Sequence, residues 1–199
     1  METTATIAPP LAEEQPSLAD ERLITGKEFA MMADLGRAEL IEGRIVKMPP
    51  PQDLHGNCES NFHLLIAAFV KENQLGKVRV GESGVYVRRN PDTVRGMDVA
   101  FISNERWAQR KSTEGYLEIA PDLVVEVLSP DDRWGSVTRK LQDYFSIGVR
   151  LVWVADPQTR KVYVCQSLND IHELAEADTL TGGEVLPGFS VPVASLFEE

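Results

Sequence analysis

Apolar and polar positions recur along this chain with two different periods, and each change of period marks an element. The sharpest segment is Asp122-Leu123-Val124-Val125-Glu126-Val127-Leu128-Ser129-Pro130. Its nearly unbroken aliphatic run predicts a strand buried on both faces. Upstream, Thr25 with Glu28 three residues on reads as a capping box, opening a helix that carries Phe29, Met32 and Leu35 and stops near Gly36. Glu39-Leu40-Ile41-Glu42-Gly43-Arg44-Ile45-Val46 reads as a hairpin turning at Gly43, ended by Pro49-Pro50-Pro51. From 54 to 73 a helical period puts His55, Glu59, Phe62, His63, Ile66, Phe69 and Val70 on one face, with Gly76 as the residue that ends the helix. Segments 78–80 and 85–88 read as strands with a bulge between Gly81 and Gly84, and Asn90-Pro91-Asp92 as a turn.

Strand alternation at 97–102 sends Asp98, Ala100 and Ile102 one way and Met97, Val99 and Phe101 the other. Residues 103–121 form a charged, irregular connection. Beyond Pro130 a helix from 136 to 147 buries Val137, Leu141, Tyr144 and Phe145, with Lys140 on the edge of that stripe and Gly148 closing it. Residues 151–155 form a second all-apolar strand, turned at Asp156-Pro157 into a hairpin partner at 161–165. Turns at Gly182-Gly183 and Pro187-Gly188 lead to a short apolar end. Strand, helix and strand at 122–155 predict one parallel pair within a mixed β-sheet flanked by helices, an α/β fold of mixed α+β character. Residues 1–22 show no periodicity and read as a disordered lead-in to a single domain at 23–199.

Composition narrows the function classes. At 199 residues the chain suits one domain with a tail. Its net charge of −11 argues against a protein living by tight, non-specific phosphate contact, though not against a local basic face. An excess of carboxylates also suits a hard cation. No apolar run is long enough to span a bilayer, and residues 1–17 lack the basic start and apolar core of a secretory signal, so no membrane association is expected. Two distant cysteines, Cys58 and Cys165, read as free thiols in a reducing cytoplasm.

Three polar groups stand where apolar residues belong: Asp98, Glu126 and Lys140. A carboxylate inside a buried strand is costly to desolvate unless a cation pairs with it or it coordinates one. If the two strands are neighbours, Asp98 and Glu126 meet, and oxygen ligation suits Mg²⁺. A lysine beside the ion can orient or deprotonate a water, a hydrolytic site for a phosphodiester. Equally, Glu126 and Lys140 form a salt bridge tying helix to strand while Asp98 caps the loop at Arg95-Gly96.

The segments Pro121 to Pro130, Lys140-Leu141-x-x-Tyr144 and Gly148-Val149-x-Leu151-Val152-Trp153-Val154-x-Asp156-Pro157 together resemble the Uma2 family of restriction-endonuclease-like proteins. The likeness extends to Glu39-Leu40-Ile41-Glu42-Gly43, His55, the strand at Asp98 and Leu180-x-Gly182-Gly183-x-Val185-Leu186-Pro187-Gly188-Phe189, about residues 23 to 197 in all. The family is similar in fold to the PD-(D/E)XK nucleases. The resemblance implies a Mg²⁺-dependent endonuclease acting on DNA, with Mn²⁺ as a substitute, Asp98 and Glu126 as metal carboxylates, and a working pair of chains. Position 128 is Leu, so Lys140 would replace the motif lysine from the next helix. Met97 stands where the family usually has Pro.

Glu59 is then the acidic residue of the first core helix and His55 a proton-transfer or supporting group, or both point to solvent at the helix start. Glu82 is a third carboxylate or a plain bulge residue. Arg88, Arg89 and Arg95, joined by Arg106, Arg110 and Lys111, are the candidates for DNA contact, or else a solvated charged surface. The alternative to an enzyme is a nuclease-fold protein of weak or no activity, acting as a nucleic-acid-binding or accessory module.

Overall fold

The long strand β4 (Thr93–Ser103) is the frame on which the other elements hang. The computed structural model describes residues 22–199, so all but the last residue of the predicted lead-in lies outside the described residues. Along one edge, β4 pairs antiparallel with β3 (Gly76–Arg88) over its whole length. Its other edge is shared. The hairpin of β1 (Ala38–Ile41) and β2 (Arg44–Lys47) touches it at Leu40↔Val94, and β5 (Leu123–Val127) pairs with it from Val99↔Val125 to Phe101↔Leu123. Between those contacts residues 95–98 have no strand partner on that side. The sheet continues from β5 to a parallel β6 (Leu151–Asp156) and antiparallel β7 (Lys161–Ser167) and β8 (Asp170–Leu174). The predicted parallel pair inside a mixed sheet is therefore present.

Helix α1 (Gly26–Met31) precedes β1, and helices α2 (Asp53–Glu72) and α4 (Trp134–Ser146) cover the two faces of the sheet; α3 (Asn104–Trp107) is a single turn in the charged connection. Phe62, Ile66 and Val70 of α2 pack with Val99, Phe101, Leu123, Val125, Val127 and Trp153. Trp153 is fully buried, its ring 6.1 Å from Phe62 and 5.6 Å from Phe189. Val137, Leu141 and Tyr144 of α4 pack with Met97, Ala100, Ile102, Val124, Val152 and Val154 on the opposite face. Alternation along β5 thus sends Val125 and Val127 toward α2 and Glu126 toward α4.

The capping box of α1 is formed: Glu28 N donates to the Thr25 hydroxyl at 3.2 Å and Thr25 N to the Glu28 carboxylate at 2.8 Å. Thr25→Ala is expected to lower stability by about 1 kcal/mol, read as a shift in the urea midpoint at unchanged slope. The helix ends at Met31 rather than Gly36, because Met31 and Met32 find no core and remain exposed while only Phe29 packs inward. The residue that ends α2 is not Gly76. Gln74 takes the left-handed conformation (φ 54°), and Gly76 opens β3, where a Cβ would stand 2.0 Å from the Ile102 carbonyl oxygen.

The segments at 78–80 and 85–88 are one strand interrupted by a bulge at Gly81 and Glu82, both at positive φ. Opposite that bulge the alternation of β4 breaks. Met97 joins Ala100 and Ile102 on the α4 side, and Asp98 turns toward α2. Bulges sharpen the local twist in this way.

Candidate functional site

The gap between β1 and β5 along the edge of β4 leaves backbone groups that a ladder would have satisfied, and side chains satisfy them instead. Gly96 N donates to Glu39 Oε1 at 3.2 Å and Val127 N donates to Asp98 Oδ2 at 2.7 Å, while the Tyr144 hydroxyl oxygen stands 3.2 Å from Gly96 O. Splitting the sheet therefore gathers three buried carboxylates, Glu39, Asp98 and Glu126, at one place. Arg95 partners one of them, with Nη1 at 2.7 Å from Glu39 Oε2 and Nε donating to Asp143 Oδ2 at 2.8 Å.

Asp98 faces groups brought by α2 and by the bulge. His55 Nε2 lies 3.4 Å from Asp98 Oδ1 and 3.9 Å from Glu59 Oε2. The imidazole is 2% exposed, and neither ring nitrogen has a hydrogen-bond partner. Glu59 Oε1 accepts from Gly81 N at 3.0 Å, which fixes its carboxylate toward the bulge. Glu82 reaches the same place from the bulge itself and is paired with Arg37, whose Nη2 also stands 3.5 Å from Asp98 Oδ1. Burial raises the Asp98 carboxyl, but His55 and a hydrogen bond from Glu82 outweigh it and hold it down at about 2. Burial and the Asp98 charge drive Glu82 up to about 8, and burial also raises Glu59. One ligand atom each from His55, Glu59 and Asp98 lie within 4.8 Å of one another. An unpartnered imidazole nitrogen between two carboxylates fits a divalent cation; the mixed nitrogen and oxygen donors suit Mn²⁺ at least as well as Mg²⁺.

On the α4 side, Glu126 takes a hydrogen bond from the Tyr144 hydroxyl at 2.5 Å and an ion pair from Lys140. Burial pushes Glu126 up to about 7 against the pull of Lys140, with the Asp98 charge adding to the rise. Lys140 is itself held above its ordinary value: burial lowers it, and Glu126 and Glu39 more than reverse that. Its Nζ is 3.9 Å from Glu39 Oε1. Glu126 and Lys140 line a cleft of about 220 Å³ with Arg37, Gln52, Ser129 and Ser136.

Of the residues singled out by sequence, Asp98, His55 and Glu59 stand together, and Glu126 and Lys140 stand as a pair within electrostatic reach of Asp98. Glu82, a bulge residue by its spacing, points into the cluster. Arg95 turns inward onto Glu39 and Asp143. Arg88 pairs with Glu42, Arg89 with Glu118, and Arg106 with Asp122. Arg110 stacks on Trp107. Sequence reasoning missed Glu39 and Arg37. A lone acid in a short hairpin strand is a weak signal for the first. The second, just ahead of β1 in an irregular segment, gave none.

The sequence profile of the Uma2 family, described as "Putative restriction endonuclease", matches residues 27–194. No curated protein matches the chain. The fold is similar to that in the crystal structure of "a putative nuclease belonging to DUF820" from Anabaena variabilis, at 23% sequence identity and a TM-score of 0.73, covering 87% of this chain and 97% of that one.

Proposed function

The chain belongs to the Uma2 family, and from that membership and the buried site we propose that it is a metal-dependent endonuclease hydrolysing DNA phosphodiesters. The observation that carries the reading is the His55 imidazole, closed off from water between Asp98 and Glu59 with neither ring nitrogen in a hydrogen bond. Asp98, Glu59 and His55 would hold the ion, with Glu126 of β5 as a further carboxylate. A bound divalent cation polarises a phosphoryl oxygen and lowers the pKa of a water. Lys140, charged and facing the cleft, orients the attacking water and offsets negative charge on the phosphate. Tyr144 fixes Glu126. Mg²⁺ is the expected ion and Mn²⁺ the substitute favoured by the imidazole.

DNA binding should be weak and salt-sensitive, since the chain is acidic and its arginines near the site are already paired. A homodimer would cut both strands of a duplex, which size-exclusion chromatography with light scattering checks. Two buried free thiols support a cytoplasmic location, and no helix of the described residues is long and apolar enough to cross a membrane. The domain is taken as residues 23–199.

The same acidity and paired arginines favour a second reading, a nucleic-acid-binding or accessory module without turnover. Nicking of supercoiled plasmid with Mn²⁺ or Mg²⁺, stopped by EDTA, separates the two. An inert protein whose melting temperature ignores both ions would rule out the metal enzyme.

The metal-free protein should also lose stability as pH rises from about 5 to 8. Native Glu126 and Glu82 keep protons up to about 7 and about 8, whereas the unfolded chain releases them near 4.5. The native state thus binds more protons across this window, and stability falls with pH by several kcal/mol. Urea midpoints in EDTA at pH 5.5 and 8.5 measure it; equal midpoints would remove the support for two buried protonated carboxyls.

A further inference from the structure

We propose that Arg37 is an exchangeable counter-cation: without metal its guanidinium neutralises Asp98 beside the Glu82 carboxyl, and when a divalent ion takes that place it turns to a phosphate of the nucleic acid in the cleft. The inference rests on the metal-dependent reading above and adds to it a phosphate-binding, positioning residue.

A guanidinium presents a rigid fork of five donors and grips a carboxylate or phosphate best with two parallel hydrogen bonds. Arg37 is not held that way. One nitrogen, Nη2, serves both Glu82 and, at 3.5 Å, Asp98, while its Nε is buried with no partner. Charge rather than fork geometry keeps it there. The side chain, 16% exposed, also lines the cleft with Lys140, Gln52 and Ser136, so a phosphate there is within its reach. Its backbone is pinned separately, with Met48 N donating to Arg37 O at 2.9 Å, so the exchange needs side-chain rotation alone.

The charge balance drives the exchange. Asp98 and Glu59 carry the negative charge of the site, with Glu82 and Glu126 beside them as protonated carboxyls, against two cations, Arg37 and Lys140. A divalent ion at Asp98 supplies the charge Arg37 was supplying and repels it, leaving a guanidinium at the cleft wall without a counter-ion. A phosphodiester restores the balance. Metal and phosphate therefore bind with positive coupling, and an ordered handover follows from one side chain answering to both.

Calorimetric titration of Mn²⁺ into the full chain tests the first half. Arg37→Gln removes the competitor and should tighten Mn²⁺ binding by about tenfold. Arg37→Lys, the variant to use if Gln does not fold, reaches Asp98 less well and should tighten it by about threefold. Equal or weaker Mn²⁺ affinity in folded variants overturns the proposal, because Arg37 would then organise the ligands instead of competing with the ion. The second half is read from binding of a short DNA duplex in Ca²⁺ over a salt series. Arg37→Gln should lower the slope of log K against log salt by about one, and an unchanged slope removes the phosphate contact. If the wild type takes up no Mn²⁺, the metal reading falls and Arg37's role with it. If the wild type binds Mn²⁺, Asp98→Asn does not, and Arg37→Gln matches the wild type, only the role of Arg37 falls.

Discussion

Asp98→Asn is expected to lower plasmid nicking on the order of a thousandfold and to abolish stabilisation by Mn²⁺. Asp98 meets His55, Arg37, the Glu82 carboxyl and the backbone of Val127. Its charge is what a cation there would answer to. Asparagine keeps an acceptor for Val127 N, so the junction of β4 and β5 survives and far-UV circular dichroism should not change. Removing the charge should also lower the pKa of Glu82 and Glu126, both of which Asp98 raises. A variant that nicks as fast as the wild type would remove Asp98 from the chemistry; a variant that unfolds would mark it as structural support for the sheet.

Lys140→Met should cost about 3 kcal/mol at pH 8, measured by urea unfolding, because it leaves a buried carboxylate without its cation. Only the Tyr144 hydroxyl then remains to satisfy Glu126, which is 5% exposed. The deficit should shrink toward pH 5. Loss of Lys140 raises the Glu126 pKa further, so the variant's native state keeps a proton that the wild type releases above about 7, and the penalty grows as pH rises beyond that value. Adding Glu126→Gln to Lys140→Met removes the uncompensated charge and should recover most of the stability. It should not recover cleavage, since the proposed site then lacks both Lys140 and Glu126. If the single variant is as stable as the wild type at pH 8, the ion pair holds nothing, and Lys140 faces solvent.

How far the sequence reaches depends on the distance over which each feature is decided. The capping box at Thr25, the hairpin at Gly43 and the parallel pair flanking α4 were legible because their causes are local: a hydroxyl three residues from a carboxylate, a tight turn, an apolar run of fixed period. Glu126 and Lys140 were legible for a related reason. A carboxylate in a buried strand must find a cation, and the following helix offered one at the edge of its stripe. What misled were features that answer to distant partners. Gly76 looked like the end of α2 but is needed where β3 passes the Ile102 carbonyl. Met32 sat at helical spacing yet had no core to meet.

The sequence by itself determined which side chains would be expensive to bury, and so which ones had to be explained: Asp98, Glu126 and Lys140 announce themselves against an apolar background. Only the tertiary structure decided how they are grouped. A two-residue bulge in β3 turns Asp98 away from its expected face and delivers Glu82, and the parting of β1 and β5 brings in Glu39 and leaves room for Arg37. The physical reason is that burial cost belongs to a single residue and its neighbours, whereas the company a charge keeps is set by strand register, which side chains tens of positions apart must satisfy together.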